Sequence, residues 1–219
     1  MRRWIFLSFL WLPVIVQAQY YSLGVNSGTS FFRGETTAEG QLLSEPGANI
    51  AVVYNKWIPR DERWQISSLL DINAMNSRVT AQEGGSIPEL QAYSFIISPM
   101  LGLRYYFDRD LKDYVPEKYQ DAFFIALYAG ISLNKNQYQI PNDFNATNPF
   151  YSRDWGLSFS NMLQGGYRIF LNSHWSMEAQ ISFKYGTSDN WDAFHGTSNV
   201  NDWIFSTGIG ASYAFDFWR

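Results

Sequence analysis

The chain offers few side chains that could act as a catalytic nucleophile or base. It has two histidines, His174 and His195, and no cysteine. Nucleophilic catalysis needs a hydroxyl or thiol beside a base that a third group holds in place. His174 lies in a predicted tight turn, and His195 lies in a polar loop close to Ser198. Neither belongs to a recognisable triad, so the sequence predicts a protein that is not an enzyme, with a His195–Ser198 pair as the alternative.

The sequence also contains few residues that could bind a metal or a cofactor. Two histidines without cysteine do not make a transition-metal site. Asp189, Asp192 and Asp202 carry oxygen ligands suited to calcium, but their spacing matches no EF-hand, and we expect solvated loop acids. The glycine pairs at 84–85 and 165–166 lack the lysine and hydroxyl that follow a phosphate-binding loop. We therefore predict no cofactor and no metal.

Five charged residues recur on the small, polar sides of alternating segments: Asp71, Arg104, Glu178, Lys184 and Asp216. Buried charges persist when they are paired. If these polar sides face the interior of a closed sheet, the charges form an interior salt-bridge network. A selective conduit or a ligand pocket is the alternative.

The first residues have the pattern of a secretory signal peptide. Arg2 and Arg3 precede an apolar run over 4–16, and Val16-Gln17-Ala18 has the small residues of a cleavage site. We expect removal of residues 1–18 and a mature chain from Gln19. The full chain carries a net charge of −4, which argues against nucleic acid as a partner.

The rest of the chain reads as antiparallel strands. Eight segments alternate apolar and polar residues, and each is long enough for a tilted strand to cross a bilayer. They cover 20–32, 48–57, 64–75, 90–107, 122–134, 157–171, 175–185 and 202–217. Pro99 predicts a bulge or a local break in the fourth, because proline cannot donate to a ladder.

The last segment supports closure of these strands into a barrel. From Ile209 to Phe217, apolar and aromatic residues alternate with small and polar ones. Aromatic residues make up 18% of the chain, as suits a barrel with interfacial aromatic girdles. We predict an all-β, eight-stranded antiparallel up-and-down transmembrane β-barrel over 19–219, in the Gram-negative outer membrane with both termini periplasmic.

One predicted periplasmic connection is unusually long and charged. It runs over 108–121 and reads DRDLKDYVPEKYQD, whereas the connections near 58–63 and 172–174 are short. It is either a solvated linker or a docking surface for a periplasmic protein. The docking interpretation assigns partner contacts to Asp108, Arg109, Asp110, Lys112, Asp113, Tyr114, Glu117 and Lys118.

Several stretches together resemble a known family. They include YYSLGVNSGTSFFRGE at 20–35, VVYNKW at 52–57, ALYAGISLNKNQ at 126–137 and NDWIFSTGIGASY at 201–213. In this order they resemble the PorG-like outer-membrane β-barrels of Bacteroidota, which are type IX secretion system components. The resemblance implies a barrel without catalysis that tethers or locates a periplasmic ring of a lipoprotein and its partner, of the PorK/PorN or GldK/GldN type.

Two functional hypotheses follow from these observations. The first is a non-enzymatic barrel that anchors a periplasmic ring of the type IX secretion system, in contact with outer-membrane lipids and lipopolysaccharide. The alternative is a generic small barrel of the OmpA/OmpW kind, for membrane integrity, surface binding or narrow solute passage. A lipid-modifying barrel enzyme would need His195.

Overall fold

The computed structural model describes most of the chain after the predicted signal peptide. The described residues are 20–33, 45–58, 61–79, 90–107, 121–139, 155–172, 174–187, 191 and 202–216. The predicted signal peptide and the eight predicted partner residues between Asp108 and Lys118 lie outside them.

The described chain forms eight strands, as the alternating pattern predicts. They are β1 (Tyr20–Arg33), β2 (Gly47–Ile58), β3 (Asp61–Val79), β4 (Leu90–Tyr106), β5 (Ala122–Gln139), β6 (Gly156–Phe170), β7 (Trp175–Gly186) and β8 (Trp203–Asp216). β3 and β5 run four and five residues past their predicted ends, because polar residues there continue the ladder beyond the apolar part of each strand. None of the described residues forms a helix that could cross a membrane.

The strands close into one antiparallel barrel in sequence order. Closure pairs β1 with β8 from Tyr20↔Asp216 to Arg33↔Trp203. At this seam Gly28 is the partner of Gly208, and a Cβ on Gly28 would meet the carbonyl oxygen of Thr207. Only glycine allows the two backbones to approach this closely. The predicted eight-stranded barrel is confirmed.

Proline in β4 interrupts one ladder without a bulge. Pro99 keeps its pairing with Leu70 of β3, whereas the pairs to β5 stop at Ile97↔Leu133 and resume at Met100↔Gly130 in the same register. Because proline has no N–H, Pro99 loses a backbone hydrogen bond to β5 and keeps its pairing with β3. The register shift lies instead at Trp57/Ile58, beside the β2–β3 turn.

Alternation gives the barrel an apolar exterior. Aliphatic and aromatic residues face outward on every strand, and examples such as Leu101, Leu127 and Ile209 are 65%, 65% and 63% exposed. A soluble protein does not expose a continuous apolar surface of this kind, whereas a barrel in lipid requires it.

Two aromatic girdles mark the edges of this apolar surface. On β7 and β8, Trp175 contacts Tyr213 at one end, and Tyr185 contacts Trp203 at the other, with ring centroids 5.0 and 4.8 Å apart. The girdles are ten residues apart along each strand. At about 3.3 Å per residue and a tilt of about 40°, they are separated by roughly 25 Å, the height of the apolar band in outer-membrane barrels.

We name the two ends of the barrel by their connections. The turn end carries the short β2–β3 and β6–β7 connections together with Tyr20 and Asp216, which are paired there. The turn end also carries the long β4–β5 connection. The loop end carries the β1–β2, β3–β4 and β5–β6 connections and the β7–β8 connection, which contains Trp191.

Candidate functional site

The candidate site is the barrel interior, where polar side chains from all eight strands converge. The same alternation that turns apolar residues outward buries serines, asparagines, glutamines and charged groups inside. Most of these side chains are less than a tenth exposed. In so dry a space each charge must be paired and hydrogen-bonded to persist.

The first charged cluster joins three strands near the turn end. The Glu178 carboxylate on β7 lies 2.8 Å from Nη1 of Arg104 on β4 and 3.2 Å from Nε of Arg168 on β6. All three side chains are at most 2% exposed. The Arg104 guanidinium also lies 4.1 Å above the Phe124 ring. Two guanidinium groups thus share one carboxylate, and this cluster has a net charge of +1.

Neutral side chains complete the first cluster. Tyr106 accepts a hydrogen bond from Arg168 Nη1 at 2.9 Å and donates one to Gln65 Oε1 at 3.2 Å. Gln164 Oε1 accepts from Arg104 at 3.2 Å, and its amide nitrogen donates to Gln180 at 2.9 Å. The network spans from β3 to β7 across the interior and therefore ties strands that are not sheet neighbours.

The second charged cluster lies nearer the loop end. Lys184 Nζ on β7 lies 2.6 Å from Asp71 Oδ2 on β3. Asp71 also accepts bonds from the side-chain amides of Asn49 and Asn73, both at 2.7 Å. Lys184 donates a further bond to Ser98 at 3.1 Å. The carboxylate and the ammonium group are thus both satisfied, and the cluster is neutral.

Apolar layers separate and cap the two charged clusters. Leu69, Met100 and Met162 belong to a layer between them. Tyr106, Ala122 and Phe124 form a layer toward the turn end, with Trp57 packed against it. A third layer lies toward the loop end and contains Phe32, Met75, Ile96, Trp191 and Ile204. Side chains therefore fill the described interior in alternating apolar and polar layers, as an eight-stranded barrel permits.

Trp191 brings the β7–β8 connection into the mouth of the barrel. Its side chain is fully buried, its indole nitrogen donates to Ser158 at 2.8 Å, and its backbone nitrogen donates to Asp202 at 2.7 Å. Its ring centroid lies 5.3 Å from Lys184 Nζ. Trp191 therefore covers the second charged cluster from the loop side.

Replacing Trp191 with Phe tests this contact. The variant keeps an apolar ring over Lys184 but loses the bond to Ser158, so we expect unfolding free energy to fall by about 1–2 kcal/mol. Urea unfolding in phospholipid vesicles, followed by the gel shift between folded and unfolded barrel, measures the change. Trp155→Phe, at an exposed tryptophan on the outer wall, is the matched control. An equal loss in both variants would contradict a specific role for Trp191.

The structure brings together four of the five charged residues predicted from the strand pattern. Asp71 pairs with Lys184 and Arg104 with Glu178. The fifth, Asp216, ends β8 opposite Tyr20, and its side chain lies outside the described part. Arg168 was missed because β6 carries Gly165-Gly166 and alternates less regularly. The signal was present, since Arg168 lies directly opposite Glu178 in the β6–β7 register.

The candidate catalytic and calcium residues do not form a site in the described structure. His174 lies exposed in the β6–β7 turn and stacks on Tyr213 at 5.6 Å. Asp202, expected to be solvated, is buried because it accepts the Trp191 backbone bond. His195, Ser198, Asp189 and Asp192 lie outside the described residues. Among those described, no three potential metal ligands converge.

Solved structures share this fold. A major outer membrane protein from Thermus thermophilus matches with a TM-score of 0.53 and 12% identity over 91% of this chain and 100% of that one. The attachment invasion locus protein Ail of Yersinia pestis, in complex with the heparin analogue sucrose octasulfate, matches with a TM-score of 0.51 and 12% identity over the same shares. The chain has the fold of small outer-membrane barrels.

No family model and no curated protein matches the sequence. The PorG-like resemblance is therefore not confirmed at the level of a family. At 12% identity, the two structural matches establish the fold alone.

Proposed function

We propose that this protein is a non-enzymatic outer-membrane barrel that acts as a closed membrane-embedded platform for surface binding or membrane integrity. The observation that carries this proposal is the filled interior, with two cross-linked charge clusters between three apolar layers. Salt bridges that span the interior hold opposite walls together, as a rigid scaffold needs. The apolar exterior and the paired girdles support insertion in the outer membrane, with the turn end in the periplasm.

The filled interior argues against the solute-passage version of this function. A solute on the axis would have to displace Trp191, the middle layer around Met100, and the Arg104–Glu178 pair. Separating such a pair in a dry interior costs several kcal/mol, and nothing in the described interior compensates for that cost.

Conductance in planar lipid bilayers tests the platform. We expect the wild-type protein to insert without stable ion conductance, and Lys56→Ala on the outer wall to behave the same. A steady wild-type conductance that changes with Glu178→Ala or Lys184→Ala would contradict the platform and support passage. The gel shift of the folded barrel checks separately that the protein has inserted. A lack of conductance then cannot be due to a failure of insertion.

A second candidate is the anchoring of a periplasmic ring of the type IX secretion system, of the PorK/PorN or GldK/GldN type. The sequence motifs at 52–57 and 201–213 and the charged 108–121 connection favour it. Like the platform, it requires a barrel that stays closed.

A pull-down distinguishes the anchor from a barrel without a ring partner. A small tag in an external connection, with the C-terminus untagged because β8 closes the barrel, would recover a ring lipoprotein in near-stoichiometric yield. Replacing 108–121 with a two-residue turn should abolish that recovery while the barrel still folds. Recovery of lipid and the barrel alone would remove the anchoring candidate.

A further inference from the structure

The first charged cluster keeps a positive charge that no second carboxylate offsets. Arg104 and Arg168 share the carboxylate of Glu178, and among the described residues no other acidic side chain forms a salt bridge with either arginine. Guanidinium groups do not lose their protons in proteins, so deprotonation of an arginine cannot remove the net charge of +1. An unbalanced charge in so dry an interior is costly, and a bound counter-ion would lower that cost.

Two N–H donors beside this cluster lack a partner. Nε of Arg104 and the side-chain amide nitrogen of Gln65, Nε2, are buried, and neither has a hydrogen-bond partner among the described residues. Gln65 on β3 and Arg104 on β4 are register partners, and both side chains face the interior. Side chains directly opposite each other on one face of a sheet have Cβ atoms about 5 Å apart. The two donors therefore belong to the same part of the interior wall.

Tyr106 fixes the direction of the Gln65 amide. The Tyr106 oxygen accepts from Nη1 of Arg104 at 3.3 Å and from Nη1 of Arg168 at 2.9 Å, and these two bonds use both of its lone pairs. Its own proton needs an acceptor, and Oε1 of Gln65 at 3.2 Å provides one. The reverse orientation of the amide would set a donor against the Tyr106 proton. The Gln65 nitrogen therefore remains available to a ligand.

We propose that Nε of Arg104 and Nε2 of Gln65 bind one small monovalent anion of the halide class, such as chloride. The anion accepts from both donors and brings the charge of the cluster to zero. A water molecule would accept the same two bonds but would leave the charge in place. Gln65, Arg104, Tyr106 and Gln164 are at most 2% exposed, so the site favours a monatomic ion over a larger anion that needs more donors.

The second carboxylate oxygen of Glu178 also lacks a partner, but it belongs to the opposite wall. Glu178 on β7 and Asn26 on β1 are both register partners of Gly210 on β8. The Asn26 amide is unpartnered as well, so a bridging water molecule can satisfy it together with Oε2 of Glu178. β3 and β4, which carry the two donors of the anion site, lie across the barrel from β7 and β8. The carboxylate therefore does not occupy the anion site.

The dependence of barrel stability on chloride tests the proposal. The protein is refolded in phospholipid vesicles at constant ionic strength, with chloride replaced stepwise by gluconate, which is too large for the site. Urea unfolding is then measured in each mixture. A ligand that binds only the folded state raises the folding equilibrium constant in proportion to its concentration above the dissociation constant. For the wild type we expect a rise of about tenfold for each tenfold increase in chloride in that range.

Gln65→Glu supplies a carboxylate at the position of the anion. It keeps an acceptor for Tyr106 and neutralises the cluster within the chain, so its stability should not depend on chloride and should exceed that of the wild type in gluconate. Gln137→Glu makes the same change at an exposed position of β5 and should keep the chloride dependence of the wild type. The same chloride dependence in the wild type and in Gln65→Glu would overturn the proposal.

Anomalous diffraction from wild-type crystals grown in bromide locates the ion without the use of a variant. We expect a bromide peak within hydrogen-bond distance of Nε of Arg104 and Nε2 of Gln65. Bromide at the protein surface alone, which means an adventitious ion only, or a water molecule at the two donors would overturn the proposal. The site does not depend on the proposed function, because a halide held by one wall of a closed barrel carries no current. Conductance therefore tests the platform separately.

Discussion

Replacing Glu178 with Gln is expected to destabilise the barrel by about 3–5 kcal/mol, because it leaves two buried guanidinium groups without their carboxylate. Arg104 and Arg168 both contact Glu178 and are at most 2% exposed. With glutamine in its place, their mutual repulsion is no longer offset. The side chains are similar in volume, so the loss reports the charge rather than a cavity.

Equilibrium urea unfolding in phospholipid vesicles measures this loss as a shift of the midpoint at unchanged slope. Glu45→Gln removes an exposed carboxylate outside the interior and should change stability by less than about 0.5 kcal/mol. A Glu178→Gln variant as stable as Glu45→Gln would show that the cluster does not hold the walls together.

Replacing Lys184 with Met is expected to cost a similar amount, about 3–5 kcal/mol, because it strands the Asp71 carboxylate in the second cluster. Asn49 and Asn73 still donate to Asp71, but no cation remains within the cluster. Adding Asp71→Asn removes the stranded charge. The double variant should therefore recover most of the stability lost by the single one.

A double-mutant cycle over Asp71 and Lys184 makes this test quantitative. The interaction energy between the two sites should reach or exceed about 3 kcal/mol, the upper end of the range found for contacting residues, because the double variant recovers most of the stability that either single variant loses. The same cycle over Glu45 and Lys56, which lie just before β2 and on it, should give an interaction energy near zero. Additive losses at Asp71 and Lys184 would mean that each acts through other neighbours.

The strands could be predicted from the sequence because a barrel in lipid enforces strict alternation. In β7, Trp175, Met177 and Ala179 face outward, while Ser176 and Glu178 face inward. The alternation of apolar and polar residues in the sequence predicts this arrangement directly. The period also predicts which charges face the interior. It does not predict their partners, because these depend on the width of the barrel and on the rotamers of long side chains.

The parts that the sequence did not predict involve contacts between distant elements. Arg168 of β6 belongs to the first cluster through its contact with Glu178. The alternating pattern of β6 is obscured by Gly165-Gly166. Asp202 lies in a loop that reads as solvated, yet it is buried because Trp191 returns to the barrel mouth and donates to it. A groove of about 850 Å³ on the outer wall depends on small residues of β1, β6, β7 and β8 that meet in register, and no single segment reveals it.

The pairing of β1 with β8 constrains how this protein can fold. Tyr21 pairs with Phe215 at the seam, so the contact that completes the sheet joins the first strand of the barrel to the last. Such contacts bear the largest loop-closure entropy and make folding slow. Until they form, the sheet has two open edges whose backbone groups hydrocarbon cannot satisfy. Membrane insertion and closure must therefore proceed together, and a chain interrupted before β8 has no stable partly inserted state.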